Sequence, residues 1–231
     1  MVKKYLNNIY NDAVKLNYKN IYSLLDKSKD HNLLDLGCDD GVLTKKLAKK
    51  IGTNKMYGVD VVDERIKLAK RNKIIVKKFD LNEQFDFEDN FFDVIHANQV
   101  IEHLFNTDNF LYEVNRVLKK DGYAIISTEN ASSWCNIFAS IMGWQIFSLT
   151  NFSSRKASIG NPFSLHKDNN NEFISWNHVR VYNIRGLIEY VELFGFKVEQ
   201  VKGAGYFPLP SNFGNIDTTH SHFITLKIRK R

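Results

Sequence analysis

Apolar positions along the chain follow two rhythms. Over residues 3–25, Leu6, Ile9, Tyr10, Ala13, Leu16, Ile21 and Leu24 recur at near-helical spacing, which predicts a helical segment within residues 1–30. Leu33 to Leu36 is a short apolar run, the pattern of a strand buried on both faces. Val42, Leu43, Leu47, Ala48 and Ile51 then form one helical stripe, with Lys45, Lys46, Lys49 and Lys50 mostly opposite and Gly52 placed as a C-cap. "MYGVD" reads as a second strand, followed by a helix around Asp63 to Arg71; "IIVKKFD" reads as a third strand and "FFDVIHAN" as a fourth. Thr107 or Asp108 can cap a helix whose apolar face is Phe110, Leu111, Val114, Val117 and Leu118. Asp121-Gly122 then turns the chain into a fifth strand, "YAIIST". Strands alternating with helices at this spacing predict an α/β fold, with a mostly parallel sheet covered by helices on both faces.

The rhythm changes towards the end of the sequence. Asn183 can cap a helix, "IRGLIEYVELF", stopped by Gly195. "FKVEQVKGAGYF" and "HFITLKIRK" follow as two strands with no helix between them, an antiparallel C-terminal pair that closes a seven-stranded sheet. Residues 131–180 read as an insertion within a single domain of residues 1–231. Its first part has helical apolar spacing through Trp134, Ile137, Phe138, Ile141 and Met142, and is too short and too interrupted for a membrane span. The insertion is expected to cover an acceptor pocket, with Trp134, Phe138, Trp144 and Phe147 supplying apolar surface. A helix resting on a membrane surface is the rival reading.

Composition adds constraints. The chain has 231 residues, enough for one sizeable core, in the proportions of a soluble globular protein. Its net charge of +6 invites a nucleic-acid reading, but the lysines do not interleave with aromatics, so a solvated basic surface is expected. The two cysteines, Cys38 and Cys135, are far apart and lack metal-like spacing; with no secretion-signal pattern, a reducing cytoplasm is expected. His166, His178, His220 and His222 either line an acceptor site or sit exposed in loops, and the loop reading is the expectation.

In open parallel sheets, ligands bind beyond the carboxyl ends of the strands. Those ends fall at Gly37, Asp60, Asp80 and Asn98. The turn "LGCDDGV" after the first strand has Gly37 and Gly41 but lacks the middle glycine of a dinucleotide turn. Asp39 and Asp40 would repel a pyrophosphate there, whereas at a helix N-terminus carboxylates act as caps and dipole partners. The ligand expected is a nucleoside without phosphate, and a cation. S-adenosylmethionine, with a sulfonium, an ammonium and one carboxylate, fits that description.

On these residues the chain resembles the class I S-adenosylmethionine-dependent methyltransferases, over about residues 30–130 well and over the C-terminal part loosely. "DLGCDDG" is similar to their first motif, with Asp39 where a glycine often stands; Asp60 matches the acid that holds both ribose hydroxyls, and Asp80 the residue that accepts from the adenine amino group. The resemblance implies a Rossmann-like fold and a cofactor set of Asp35, Gly37, Cys38, Asp39, Gly41, Asp60, Val61, Asp80, Leu81 and Asn98. "ANQVIEHL" and "RVLKKDGYAIISTEN" resemble the branch that includes quinone-biosynthesis methyltransferases. Glu102 and His103 are candidates for a general base, and equally for the start of the next helix. Some quinone O-methyltransferases carry Glu-x-x-Glu-His here and bind a divalent metal; Gln99 replaces the first glutamate, so no metal is expected. Neither an Asn/Asp-Pro-Pro-aromatic motif nor a cysteine placed as in the cytosine-C5 enzymes occurs. The acceptor implied is a small or lipid-like molecule; RNA methylation and non-catalytic cofactor binding are the alternatives.

Overall fold

The computed structural model describes residues 2–164 and 176–231, leaving His166 outside the described residues. Helices α1 (Val2–Ser23), α2 (Val42–Ile51), α3 (Asp63–Arg71), α4 (Thr107–Val117), α5 (Trp134–Ile141) and α6 (Ile184–Leu193) alternate with strands β1 (Leu33–Leu36), β2 (Met56–Val59), β3 (Ile75–Lys77), β4 (Phe92–Asn98), β5 (Leu118–Glu129), β6 (Phe196–Ala204) and β7 (Phe223–Lys230). The strands form one seven-stranded sheet in the order β3-β2-β1-β4-β5-β7-β6. It is mostly parallel with antiparallel C-terminal strands, as the element order predicts. β1 pairs in parallel with both β2 (Leu36 opposite Val59) and β4 (Leu36 opposite Ala97). The chain runs outward from β1 to β3, then crosses back to β4, so the order reverses between β1 and β4. That is the position at which open sheets hold ligands.

Two compact units divide the chain. One comprises Ile21–Ile126, Ile188–Gln200 and Leu226–Arg231; the other comprises Met1–Asn20, Ser127–Leu187 and Val201–Thr225. In the first, Leu33, Leu34 and Leu36 of β1 and Val94 and Ile95 of β4 are wholly buried. The stripes of α2 (Leu47, Ala48, Ile51) and α4 (Phe110, Leu111, Val114, Val117) are buried as well. Each such side chain contributes about 1.5–3 kcal/mol, which is why continuous apolar runs become central strands.

Three local readings need correction. The cap of α4 is Asn106, whose side chain accepts from the Asn109 N–H; the Thr107 hydroxyl instead meets Tyr190 Oη at 2.8 Å, and Asp108 accepts from the same Tyr190. Asp121-Gly122 does not break the chain. Asp121 takes a left-handed φ of 64° inside a continuous β5, which bends the strand without ending it. The third strand covers only Ile75–Lys77, because it is the sheet edge and Lys78 turns out to pair with Asp63 at 2.7 Å.

The segment between β3 and β4 is fastened to α4 by one arginine. Arg116 donates to Glu113 from Nε (2.9 Å) and Nη2 (2.6 Å), to the Phe85 and Phe87 carbonyls (2.9 Å each) and to Asp89 (2.6 Å). Glu113 also accepts from the Phe85 N–H at 2.7 Å. Burial pushes the Glu113 carboxyl up, but Arg116 and the Phe85 amide outweigh it, so its pKa is lowered. A carboxyl lowered on folding stabilises above its unfolded pKa and loses that contribution as pH falls through the folded value. Arg116→Ala, which leaves Glu113 buried without its cation, should cost about 3–5 kcal/mol in urea unfolding at pH 7. It should also flatten the loss of stability seen when the native protein is acidified below about pH 4.5.

Candidate functional site

The turn after β1 is built by close approach. Gly37 and Gly41 adopt φ of 72° and 77°; a Cβ on Gly41 would lie 2.2 Å from Ile74 Cδ1 and 3.1 Å from Ala69 Cα, and one on Gly37 would lie 2.8 Å from Val100 Cγ2. Only glycine fits such positions without strain. The Gly37 and Cys38 N–H groups both donate to the Val59 carbonyl at 2.9 Å, which ties the turn to the end of β2. Asp40 Oδ1 accepts from the Val42 N–H at 2.9 Å, so Asp40 does act at the start of α2, from the position before the Gly41 cap.

Asp60 links two elements. Its Oδ2 accepts from the Asp39 N–H and its Oδ1 from the Val62 N–H, each at 2.9 Å. The carboxylate is therefore oriented by backbone at the tip of β2, and each oxygen retains a further lone pair. Asp39, at a left-handed φ of 48°, pairs with Arg65 of α3 at 3.1 Å. Partial burial raises the Asp39 carboxyl, Arg65 opposes, and the Asp40 and Asp60 charges add to the rise. Val61, exposed, and Leu81, buried, flank Asp60 and Asp80 in the chain. Asp80 is exposed, and its Oδ1 accepts from the Asn82 N–H (2.9 Å) and side-chain amide (2.7 Å). Cys38 is 3% exposed, and burial with the Asp35 and Asp60 charges pushes its thiol far up, so it lines the turn as an inert group.

Asp35 sits beneath the turn. It is buried, and its two oxygens accept from Thr44 Oγ1 of α2 (2.5 Å) and His96 Nδ1 of β4 (2.7 Å). It thus holds β1, β4 and α2 in register under the glycines. The sequence reading missed Thr44, His96 and Arg65. The signal for His96 was present: a polar residue inside the apolar run of a central strand, directly opposite Asp35 in the β1–β4 register. Asn98 ends β4, and Glu102 and His103 follow in a short 3-10 turn, Ile101–His103. Glu102 is completely buried, while His103 is half-buried.

A mostly parallel sheet whose order reverses between β1 and β4, an acid after β2, and a tight glycine turn rich in acids after β1 are the arrangement of the class I methyltransferase fold. The profile of a family described as a methyltransferase domain matches residues 10–201, and the chain belongs to that family. Mitochondrial ubiquinone biosynthesis O-methyltransferase of Rattus norvegicus is 25% identical over 208 residues, covering 86% of this chain and 54% of its own length. The Homo sapiens protein of the same name is 31% identical over 126 residues, 51% of this chain and 34% of its own. This chain therefore spans about half the length, or less, of these relatives. Among solved structures, an S-adenosylmethionine dependent methyltransferase from Mesorhizobium loti superposes with a TM-score of 0.62 at 14% identity, over 96% of this chain and 100% of that one. A Thermotoga maritima S-adenosylmethionine-dependent methyltransferase, described as a possible histamine N-methyltransferase, gives 0.62 at 16% identity, over 100% and 96%. These two likenesses concern the fold.

The turn's two demands on Gly41 can be separated. Gly52 has a φ of 96° with nothing within 4 Å of a built Cβ, so Gly52→Ala should cost only the left-handed strain, about 1–2 kcal/mol. Gly41→Ala adds the clash with Ala69 and Ile74 and should lose about 1–3 kcal/mol more in urea titration.

Proposed function

We propose that this chain is an S-adenosylmethionine-dependent methyltransferase whose acceptor is a small or lipid-like molecule presenting a hydroxyl. The observation that carries the reading is the Asp60 carboxylate, held by two backbone N–H groups beside an acid-rich, phosphate-repelling turn. Asp60 would accept from the ribose hydroxyls, Val61 and Leu81 would flank the base, Asp80 would accept from the adenine amine, and Asn98 at the end of β4 would complete the set. Gly37, Cys38 and Gly41 bring backbone up to the ligand, Asp39 and Asp40 favour its positive charges, and Asp35 acts through the turn above it. When bound, S-adenosylmethionine supplies an electrophilic methyl group with a good leaving group already in place.

The protein's own task is then to align an acceptor and, for a hydroxyl, to remove its proton. His103 is our choice for the base, since Glu102 beside it is completely buried and suited to orienting rather than to touching the acceptor. The names of the ubiquinone-pathway relatives support a phenolic O-methyl acceptor. Among the described residues no helix is long and apolar enough to cross a membrane, and both cysteines are free and buried, which accords with a reducing compartment such as the cytoplasm.

Labelled S-adenosylmethionine incubated with the protein and a panel of catechols and phenolic quinone precursors should yield a labelled methyl ether. Label appearing only in RNA, or in nothing while the cofactor binds, would contradict the acceptor assignment. Asp60→Ala should weaken cofactor binding at least about tenfold, because hydrogen bonds to a charged group contribute roughly 1.5–3 kcal/mol each. His103→Gln should lower kcat by about 10²-fold with cofactor affinity unchanged. Equal loss of cofactor affinity in that variant would place His103 in the cofactor site instead.

A further inference from the structure

The second unit holds a cluster that methyl transfer does not use. Cys135, in the first turn of α5, has its Sγ 3.4 Å from His222 Nδ1 and 3.2 Å from Ser133 Oγ. On the far side of the same ring, His222 Nε2 lies 4.0 Å from Glu129 Oε1 at the end of β5. Sulfur and carboxylate thus lie on opposite sides of the imidazole, the carboxylate at charge-pair rather than hydrogen-bond distance, in the order in which a base activates a thiol beside a third, charged group. His178 and His222 are thus not exposed loop residues. His178 is buried with Nδ1 2.7 Å from the Ser148 carbonyl, and the His222 side chain is 14% exposed; half-buried His220 stacks on Trp134 at 4.4 Å.

The alignment is fixed by backbone rather than by chance contact of loops. The Asn130 N–H donates to the His222 carbonyl at 2.9 Å, and its side-chain amide donates to the Thr219 and Ser221 carbonyls at 2.9 and 2.8 Å. The Trp134 N–H donates to the His220 carbonyl at 3.3 Å, and Asn136 Nδ2 donates back to the Asn130 carbonyl at 2.9 Å. Residues 130–136 and 219–222 are thereby stitched together, carrying Cys135 and His222 with them. Tyr10 of α1 meets the imidazole edge-on at 5.6 Å and Phe223 at 4.5 Å, so among the described residues the ring is faced by Tyr10, Glu129, Cys135 and Phe223.

We infer that Cys135, His222 and Glu129 form an activated thiol, a site at which small soft carbon electrophiles modify this chain. Cys135 is 9% exposed as a residue, which favours small reagents over large ones. Two features favour nucleophilic sulfur: the helix N-terminus above it and the imidazole beside it. Burial pushes the His222 ring down, yet the Cys135 sulfur and the Glu129 carboxylate together raise it to about 9, in keeping with a proton resting on the ring. In alkylation by iodoacetamide the sulfur–carbon bond forms, the carbon–iodine bond breaks and iodide leaves. His222 keeps the proton, which then passes to buffer. No part of this depends on which acceptor the protein methylates.

The protein supplies its own control, because Cys38 is more deeply buried and its thiol is pushed far up. Folded protein treated with iodoacetamide at pH 7, then digested and analysed by peptide mass spectrometry, should show Cys135 alkylated at least tenfold faster than Cys38. His222→Asn should slow Cys135 alkylation about tenfold while leaving the Cys38 rate unchanged. Glu129→Gln, nearly the same shape, should slow it about threefold and keeps the test open if the histidine variant does not fold. Cys135 reacting no faster than Cys38 in the native protein, or at an unchanged rate in folded variants, would overturn the inference.

Discussion

The carboxylate of Asp60 receives two backbone N–H groups, and the rest of the site follows from that arrangement. One comes from Asp39 in the turn after β1, the other from Val62 at the cap of α3. The same side chain therefore fixes where β2 ends, how the β1 turn lies over it, and where α3 begins. A charge-assisted pair of bonds at a strand tip is stiff, and stiffness is what a site needs if a ligand's hydroxyls are to find the remaining lone pairs in place. Beneath it, Asp35 repeats the device in the interior, with Thr44 and His96 as partners instead of amides. The two acids divide the labour: Asp35 keeps the strands and α2 in register, and Asp60 ties the β1 turn to the start of α3.

The extra carboxylates in the turn have a physical consequence for what can bind. Burial raises the Asp39 carboxyl despite its Arg65 partner, and the Asp40 and Asp60 charges add to the rise. On the proposed function, a turn carrying this much negative charge would disfavour a pyrophosphate and favour a sulfonium and an ammonium. The helix dipole behind Gly41 does not reverse this, since Asp40 already occupies the Val42 amide. On that reading, selection between nucleotide classes would reside in side-chain charge at a turn whose backbone is shaped by Gly37 and Gly41.

Much of this was legible in the residues. Buried runs such as Leu33–Leu36 and the stripe of α2 carry period and length together, so element type and the sheet's mixed character could be read from them. Local chemistry was less legible where tertiary partners decide it. Thr107 and Asn106 are both good caps, and only Tyr190, distant in sequence, settles which one serves. Asp121-Gly122 reads as a turn, yet neighbouring strands hold it in a continuous β5. At the site, acids at strand ends were visible because position alone marks them. Arg65 was not, because an arginine on a polar helix looks like any solvated charge until the turn opposite it is placed. The pairing of His222 with Cys135 was invisible for the same reason: they lie far apart in the chain, and backbone pairing through Asn130 brings them together.

The central claim is that an acid-lined turn beside a braced Asp60 selects a phosphate-free, cationic nucleoside. Calorimetric titration of the purified chain with S-adenosylmethionine, its demethylated product and NAD, in one buffer, tests it most directly. Saturable binding of the first two and no measurable heat from NAD are the expected result. Binding of NAD without binding of S-adenosylmethionine would contradict it.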